Sequence, residues 1–276
     1  MVDRKMIKEI KVKTALSPSQ LPGLDYALNP YRGCAHACIY CYAPSVIYWD
    51  KGKWGDLVEV KINLPRVLSK ELRTKKKGVV GLGTVTDPYQ PAEKKYEITR
   101  RCLELLQMHD FPVCIQTKSS LVLRDMDLLK RFSKIEVGIT LTSHDDIVRQ
   151  KLEPGAPAVQ ERLNALEELR KNGIDTWVFM GPVMPYITDV ELLLNVIADV
   201  KPKYVLVDRL RLKEGIWDCV TDFLKKYDSQ LINEYDRIFQ KHGEYYGEVL
   251  ELIKAGRESK YKNLPVKTWD VSGVVP

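Results

Sequence analysis

Apolar residues follow two different periods along this chain. Short aliphatic runs recur at 78–84 (GVVGLGT), 112–117 (PVCIQT), 135–142 (IEVGITLT), 174–180 and 204–208 (YVLVD). Between them apolar positions return every three or four residues, as on one face of a helix. From Pro91 a helix is predicted with Ile98, Cys102, Leu105 and Leu106 as its buried stripe. A second carries Leu163, Leu166 and Leu169 and stops at Lys171-Asn172-Gly173. Thr188 and Glu191 have the spacing of a capping box opening a leucine-rich helix. Strands alternating with helices predict an α/β fold with a parallel sheet and crossover helices. With one short strand before Cys34, the count reaches six.

Past residue 215 the pattern turns helical without strands. Leu231, Tyr235, Ile238 and Phe239, then Tyr246, Val249, Leu250 and Ile253, predict two amphipathic helices around Gly243. They would either pack on an open sheet edge or cover a substrate. Residues 16–23 read as loop. The expected division is an N-terminal extension over 1–23, a core over 24–214 and a mainly helical C-terminal extension over 215–276.

Composition narrows the setting. Forty-three Lys and Arg against 37 Asp and Glu give a net charge of +6, which permits a phosphate-bearing partner without establishing one. Lys75-Lys76-Lys77 is the only tight basic run and reads as a solvated helix end. Cys102, Cys114 and Cys219 are scattered singly, so the six cysteines are no disulfide framework and a reducing compartment is expected. No signal-like stretch follows Met1 and no apolar run has the length of a bilayer span, which predicts a cytoplasmic protein without a membrane.

The chemistry concentrates at Cys34, Cys38 and Cys41, spaced C-x₃-C-x₂-C. Three thiolates can hold three irons of a [4Fe–4S] cluster and leave the fourth to a ligand that is not protein. The competing readings are a structural zinc site or a redox disulfide. Zinc knuckles favour paired C-x₂-C units or a later histidine, and His36 lies too close between the cysteines to serve. A disulfide would leave one thiol odd.

The run 29–42 (NPYRGCAHACIYCY), with 86–93 (TDPYQPAE) and 152–157 (LEPGAP), resembles the radical SAM branch related to spore photoproduct lyase, in order over about residues 24–190. The resemblance implies a partial (β/α)₆ TIM-type barrel, a [4Fe–4S] cluster, and reductive cleavage of S-adenosyl-L-methionine to a 5′-deoxyadenosyl radical. It also implies roles for particular residues. Tyr40 matches an aromatic position against the adenine, and Tyr42 a tyrosine taking part in hydrogen transfer. Thr84, Thr86 and Asp87 follow the second strand, where the superfamily binds the methionine ammonium; Glu93 is read as a first-turn helix carboxylate. Thr140, Thr142 and Ser143 offer hydroxyls for ribose or carboxylate. Glu153 is favoured by position, Arg149 is read as a ligand or a surface salt bridge, Arg32 places charge near the cluster, and Met184 packs on the ring. No cysteine lies in 82–89, whereas the lyase returns hydrogen from a cysteine near the end of its second strand, so that thiol relay is not expected here. Tyr42, Tyr89 or the regenerated cofactor itself remain as hydrogen donors, with Tyr42 favoured. A nucleic acid or nucleotide substrate is favoured over a peptide, protein or small metabolite, and over an electron-transfer or regulatory protein. The implied reductant is a low-potential donor such as a ferredoxin or flavodoxin.

Overall fold

The computed structural model describes residues 6–212, 215–240, 244–258 and 261–268. Its strands are β1 (Met6–Ile10), β2 (Ser17–Pro18), β3 (Tyr26–Leu28), β4 (Tyr31–Arg32), β5 (Leu57–Lys61), β6 (Val80–Leu82), β7 (Val113–Thr117), β8 (Ile135–Thr140), β9 (Asp175–Val183), β10 (Tyr204–Arg209) and β11 (Val266–Lys267). Eight of them form one sheet in the order β11-β10-β9-β8-β7-β6-β3-β2. From β3 through to β11 every pairing is parallel, and only β2 runs antiparallel. The sheet is thus mostly parallel with edges at β2 and β11, consistent with a partial TIM-like barrel. All six sequence-predicted strands are present. Each face of β7 is distinct: Val113, Ile115 and Thr117 are buried, while Cys114 and Gln116 between them are only half-buried.

The helix expected from Pro91 is two helices, Glu93–Tyr96 and Ile98–Met108, broken at Glu97 with φ +49°. The fully buried Glu93 carboxylate accepts from Thr99 N at 2.9 Å and Arg100 N at 3.2 Å, satisfying first-turn donors of the second helix. Its helix-end role therefore serves the next helix rather than its own. Ile98, Cys102, Leu103 and Leu106 are buried; Leu105, expected in the stripe, lies at its margin because the stripe is centred between Cys102 and Thr99. Cys102 is core, as expected. Asp189, not Thr188, caps the helix Val190–Val200 through Leu192 N at 2.9 Å. Thr188 Oγ1 instead accepts from Met184 N and donates to Thr142 O, both at 3.0 Å, and so ties the ends of β8 and β9 together.

The C-terminal region has three helices, Ile216–Tyr227, Leu231–Gln240 and Tyr245–Glu258, with Gly243 outside the described residues. It also supplies β11, against the expectation of no strand; two residues are too few to show a period. Ile216, Val220, Phe223, Leu224 and Tyr235 share an apolar cluster with Cys38, Tyr40 and Met184. Each fully buried large aliphatic there stabilises by about 1.5–3 kcal/mol. The first two of these helices pack on the cysteine loop, while Tyr246, Val249 and Ile253 of the third join the main core.

The N-terminal extension is strand as well as loop. β1 pairs in parallel with β5, and β5 runs antiparallel to β4, making a three-stranded sheet. Past β1, Asn63 bonds both backbone groups of Val12, at 2.8 and 2.9 Å, and the Glu71 carboxylate accepts from Ala15 N and Leu16 N at 2.9 and 2.8 Å. These bonds fasten residues 12–16 to the helix Leu64–Glu71.

Candidate active site

The cysteine loop leaves β4 through Gly33, whose φ of +81° and close neighbour admit no side chain: a Cβ would stand 2.5 Å from Leu57 O. Cys34 and Cys38 are buried, Cys41 is half-buried, and none is disulfide-bonded. Among the described residues no three His, Cys, Asp or Glu side chains close on one point as around a single metal ion. Burial pushes all three thiols up, Cys38 to about 12 despite the Lys118 cation. Metal binding here must therefore release protons.

Two parts of the chain clamp this loop. On one side, the fully buried Gln90 accepts from Ala35 N at 2.9 Å and donates to Gly33 O at 3.3 Å and Thr86 Oγ1 at 3.0 Å. Thr86 Oγ1 itself donates to Gly33 O at 2.7 Å. Asp87, buried beside them, accepts from Tyr89 N (2.8 Å), Thr117 Oγ1 (2.7 Å) and Lys118 N (2.8 Å), and His36 Nδ1 lies 3.3 Å from its second oxygen. Burial alone would raise its carboxyl, but His36 and these donors hold it at about 2. On the other side, Ile39 N donates to Leu152 O and Gly155 N to His36 O, both at 3.0 Å.

A buried polar cluster sits behind Cys38. The Tyr40 hydroxyl donates to Glu153 Oε1, Thr142 Oγ1 donates to the same oxygen at 3.0 Å, and Arg162 pairs with Oε2. Lys118 Nζ lies 3.9 Å from Glu153 and 5.8 Å from the Tyr40 ring centroid. Burial would raise Glu153; the charges of Arg162 and Lys118 and the Tyr40 hydroxyl hold it down at about 2. Arg162, fully buried, also donates to Thr140 O at 3.0 Å and Pro157 O at 3.0 Å. Met184 is fully buried in the apolar cluster beside Tyr40, and Ser143 Oγ accepts from Asp145 N at 3.0 Å.

Tyr42 is exposed, and its hydroxyl donates to Thr84 O; Thr84 Oγ1 bonds the side chain of Asn29 at 2.8 Å. Tyr89, by contrast, is fully buried with its hydroxyl on Asp125 at 3.0 Å. That burial takes it out of contention as a hydrogen donor at the mouth. Arg32 is likewise a staple, bonded to Glu59 at 3.1 Å and Ile47 O at 3.0 Å and stacked over Trp49. Arg149 is buried, forks onto Asp146 and donates to Ala156 O at 2.9 Å; the Asp146 carboxylate is exposed, so the ion pair of the expected salt bridge lies at the surface with its guanidinium end buried. The sequence gives no separate role to Gln90, which lies within the 86–93 run, or to Lys118 and Arg162, which stand outside any motif.

An open, mostly parallel sheet thus stands beside a loop of three unbridged cysteines that follows β4 of the smaller sheet. Residues 28–194 match the Radical SAM superfamily, and the chain belongs to that superfamily. An uncharacterized protein of Methanocaldococcus jannaschii is 36% identical over 253 residues, covering 90% of this chain and 93% of its own. A radical SAM Nα-GlyT isomerase of Pseudomonas phage M6 is 29% identical over 184 residues, 65% of this chain and 38% of its own. A spore photoproduct lyase mutant with bound S-adenosylmethionine and dinucleoside spore photoproduct superposes with TM-score 0.64 at 16% identity, over 80% of this chain and 66% of that one. Membership makes the chain a radical SAM enzyme and implies a [4Fe–4S] cluster and S-adenosylmethionine. The donor set fits such a cluster, since three unbridged soft thiols share one loop. No helix among the described residues is long and apolar enough to cross a membrane.

Proposed function

We propose that Cys34, Cys38 and Cys41 hold the [4Fe–4S] cluster and that the chain cleaves S-adenosylmethionine reductively to act on a nucleic acid or nucleotide. The observation that carries this reading is the clamped loop of three unbridged cysteines, two buried and one half-buried, with no fourth cysteine in it. When bound and reduced, the cluster and its cofactor supply a carbon radical able to abstract hydrogen.

The chain's own residues position and shield. Thr84 and Thr86 each keep an acceptor lone pair beyond their internal bonds, so they are the oxygens for the methionine ammonium. Asp87 is charged and already engaged by protein donors, and contributes its field rather than a contact. Lys118, with the hydroxyls of Thr140, Thr142 and Ser143, serves the carboxylate and ribose. Tyr40 offers its ring to the adenine while Glu153 fixes its hydroxyl, and Met184 backs it. Tyr42 stands exposed beside Cys41 as the hydrogen donor to a substrate radical. In this reading the six parallel strands form a partial (β/α)₆ barrel over 24–214, the helices beyond 215 cover the loop, and a low-potential ferredoxin or flavodoxin reduces the cluster.

The net charge of +6 supports a phosphate-bearing substrate, as does the likeness to a lyase holding a dinucleoside. The test is anaerobic reconstitution and reduction with S-adenosylmethionine, following 5′-deoxyadenosine with and without oligonucleotide, nucleotide or peptide. Formation stimulated by nucleic acid or nucleotide is expected, with deuterium passing from labelled substrate into 5′-deoxyadenosine. Loaded protein that yields none, or that responds to peptide alone, would overturn the reading.

A further inference from the structure

Away from the cysteine loop, a cleft of about 340 Å³ lies between the segment following β1 and the helix Leu64–Glu71. Lys11 and Lys13 line one wall, Arg66 and Lys70 the other. All four are exposed, and none forms an ion pair within 4.0 Å among the described residues. Arg66 and Lys70 are one helical turn apart, with Cβ atoms about 5–6 Å from each other. The acid in the cleft, Glu71, is spent on Ala15 N and Leu16 N, and Asn63 on both backbone groups of Val12. Those same bonds hold the two walls together, so the cleft is built rather than incidental. Past the helix, Arg73 and Lys76 are exposed and Lys75 lies over the Tyr26 ring at 5.5 Å. These residues follow Lys70 in sequence and add positive charge outside the cleft lining, although Lys77 is itself paired with Asp110 at 3.0 Å.

We propose that this cleft binds the phosphodiester backbone of a nucleic-acid strand, anchoring it outside the reaction centre. The inference rests on the nucleic-acid reading above. Two rows of unpaired cations facing each other match a polyanion running between them, and Lys and Arg contacts to phosphate position a strand without reading its sequence. A membrane surface fits less well, because it wants an apolar face and Val67 is the only apolar residue in the lining. An acidic protein partner would find no aromatic anchor there. The placement also suits the chemistry. β5, which leads into Asn63, pairs with β4, and β4 leads directly into Gly33 and Cys34, so the anchor and the cysteine loop share one three-stranded sheet.

The test is binding of a fluorescently labelled DNA oligonucleotide, single-stranded and duplex, by anisotropy across a salt series. The double variants Lys11→Glu with Lys13→Glu, and Arg66→Glu with Lys70→Glu, are compared with wild type, each first checked for unchanged melting; Gln replacements serve if a reversal unfolds. Affinity is expected to fall at least about tenfold in each pair, with the slope of log K against log salt shallower by about 1.5–2. Cofactor cleavage without nucleic acid should stay at the wild-type rate. If wild type binds but both pairs bind equally well at the same slope, the cleft is wrong while the nucleic-acid reading stands. If wild type binds no oligonucleotide and loaded enzyme responds only to peptide, both fall. Displacement of the oligonucleotide by low millimolar inorganic phosphate would make this a small-anion site, and equal, variant-sensitive binding to phosphatidylglycerol vesicles a lipid site. Either result overturns the proposal.

Discussion

The carboxamide of Gln90 accepts from the backbone of Ala35 at 2.9 Å, the residue following Cys34. One side chain, 55 residues away in sequence, thus sets the backbone from which the first thiol projects. Its amide nitrogen holds Gly33 O and Thr86 Oγ1 as well. Gln90→Leu preserves bulk but strands these buried groups, at a cost of about 1–3 kcal/mol. The expected outcome is a lower melting temperature and less iron and sulfide per chain after anaerobic reconstitution, partly restored in Gln90→Glu, which keeps the acceptor for Ala35. Full iron loading at wild-type stability would show that the clamp does not shape the loop.

Alanine at Cys34, Cys38 or Cys41 should abolish the cluster, whereas Cys102→Ala, Cys114→Ala and Cys219→Ala should retain about four irons per chain. Cys102 is fully buried in the core, so its alanine variant is expected to lose stability without losing iron. Iron and acid-labile sulfide assays, with the charge-transfer absorbance, separate the two effects. Cluster loss in a distant variant would mean that the thiols of the loop are not the whole ligand set.

Acid should weaken the fold through Glu153 and Asp87. Both carboxyls are held at about 2 in the folded protein, below ordinary values of 4.5 and 3.8. A depressed folded value means stability that is complete above the unfolded value and is lost as pH falls toward 2. Each contributes on the order of 2–3 kcal/mol between about pH 4.5 and 2. Glu153→Gln leaves the fully buried Arg162, and the half-buried Lys118 beside it, without their shared countercharge and should cost roughly 3–5 kcal/mol at pH 7, with a shallower acid limb. Urea unfolding at stepped pH measures both; an unchanged acid limb in this variant would remove Glu153 from the account.

Tyr42→Phe keeps the ring and removes the hydroxyl that donates to Thr84 O. Continued 5′-deoxyadenosine formation is expected, with substrate product lost or diverted and turnover uncoupled. Because residues 82–89 contain no cysteine, repair of spore photoproduct by a thiol relay is expected to be absent in the parent protein too. Mass spectrometry of the products decides both points. Wild-type product from Tyr42→Phe would reduce this residue to packing.

The repeating sheet was legible because β-strand and helix periods alternate with little ambiguity, and the cysteine spacing declares itself. The exceptions have physical causes. β1 is mostly exposed, so Met6 and Ile7 carry no burial pattern to read. Asp189 displaced Thr188 as the cap because Thr188 was needed to join two strand ends. The pairing of Tyr40 with Glu153 spans 113 residues, and both were picked out separately without any sign that they meet. Lys118 escapes local reading, since a single polar residue just past a strand end has no period, and the 86–93 run that contains Gln90 gives no sign of which backbone its side chain will reach.

The loop is held by Gln90, Thr86, Leu152 and Gly155, all of them groups that need no metal to act. Its shape is thus written into the protein rather than folded around iron, unlike small domains whose metal is their core. If the loop holds the cluster proposed above, loss of that cluster would leave a folded receptacle in place of an unfolded chain.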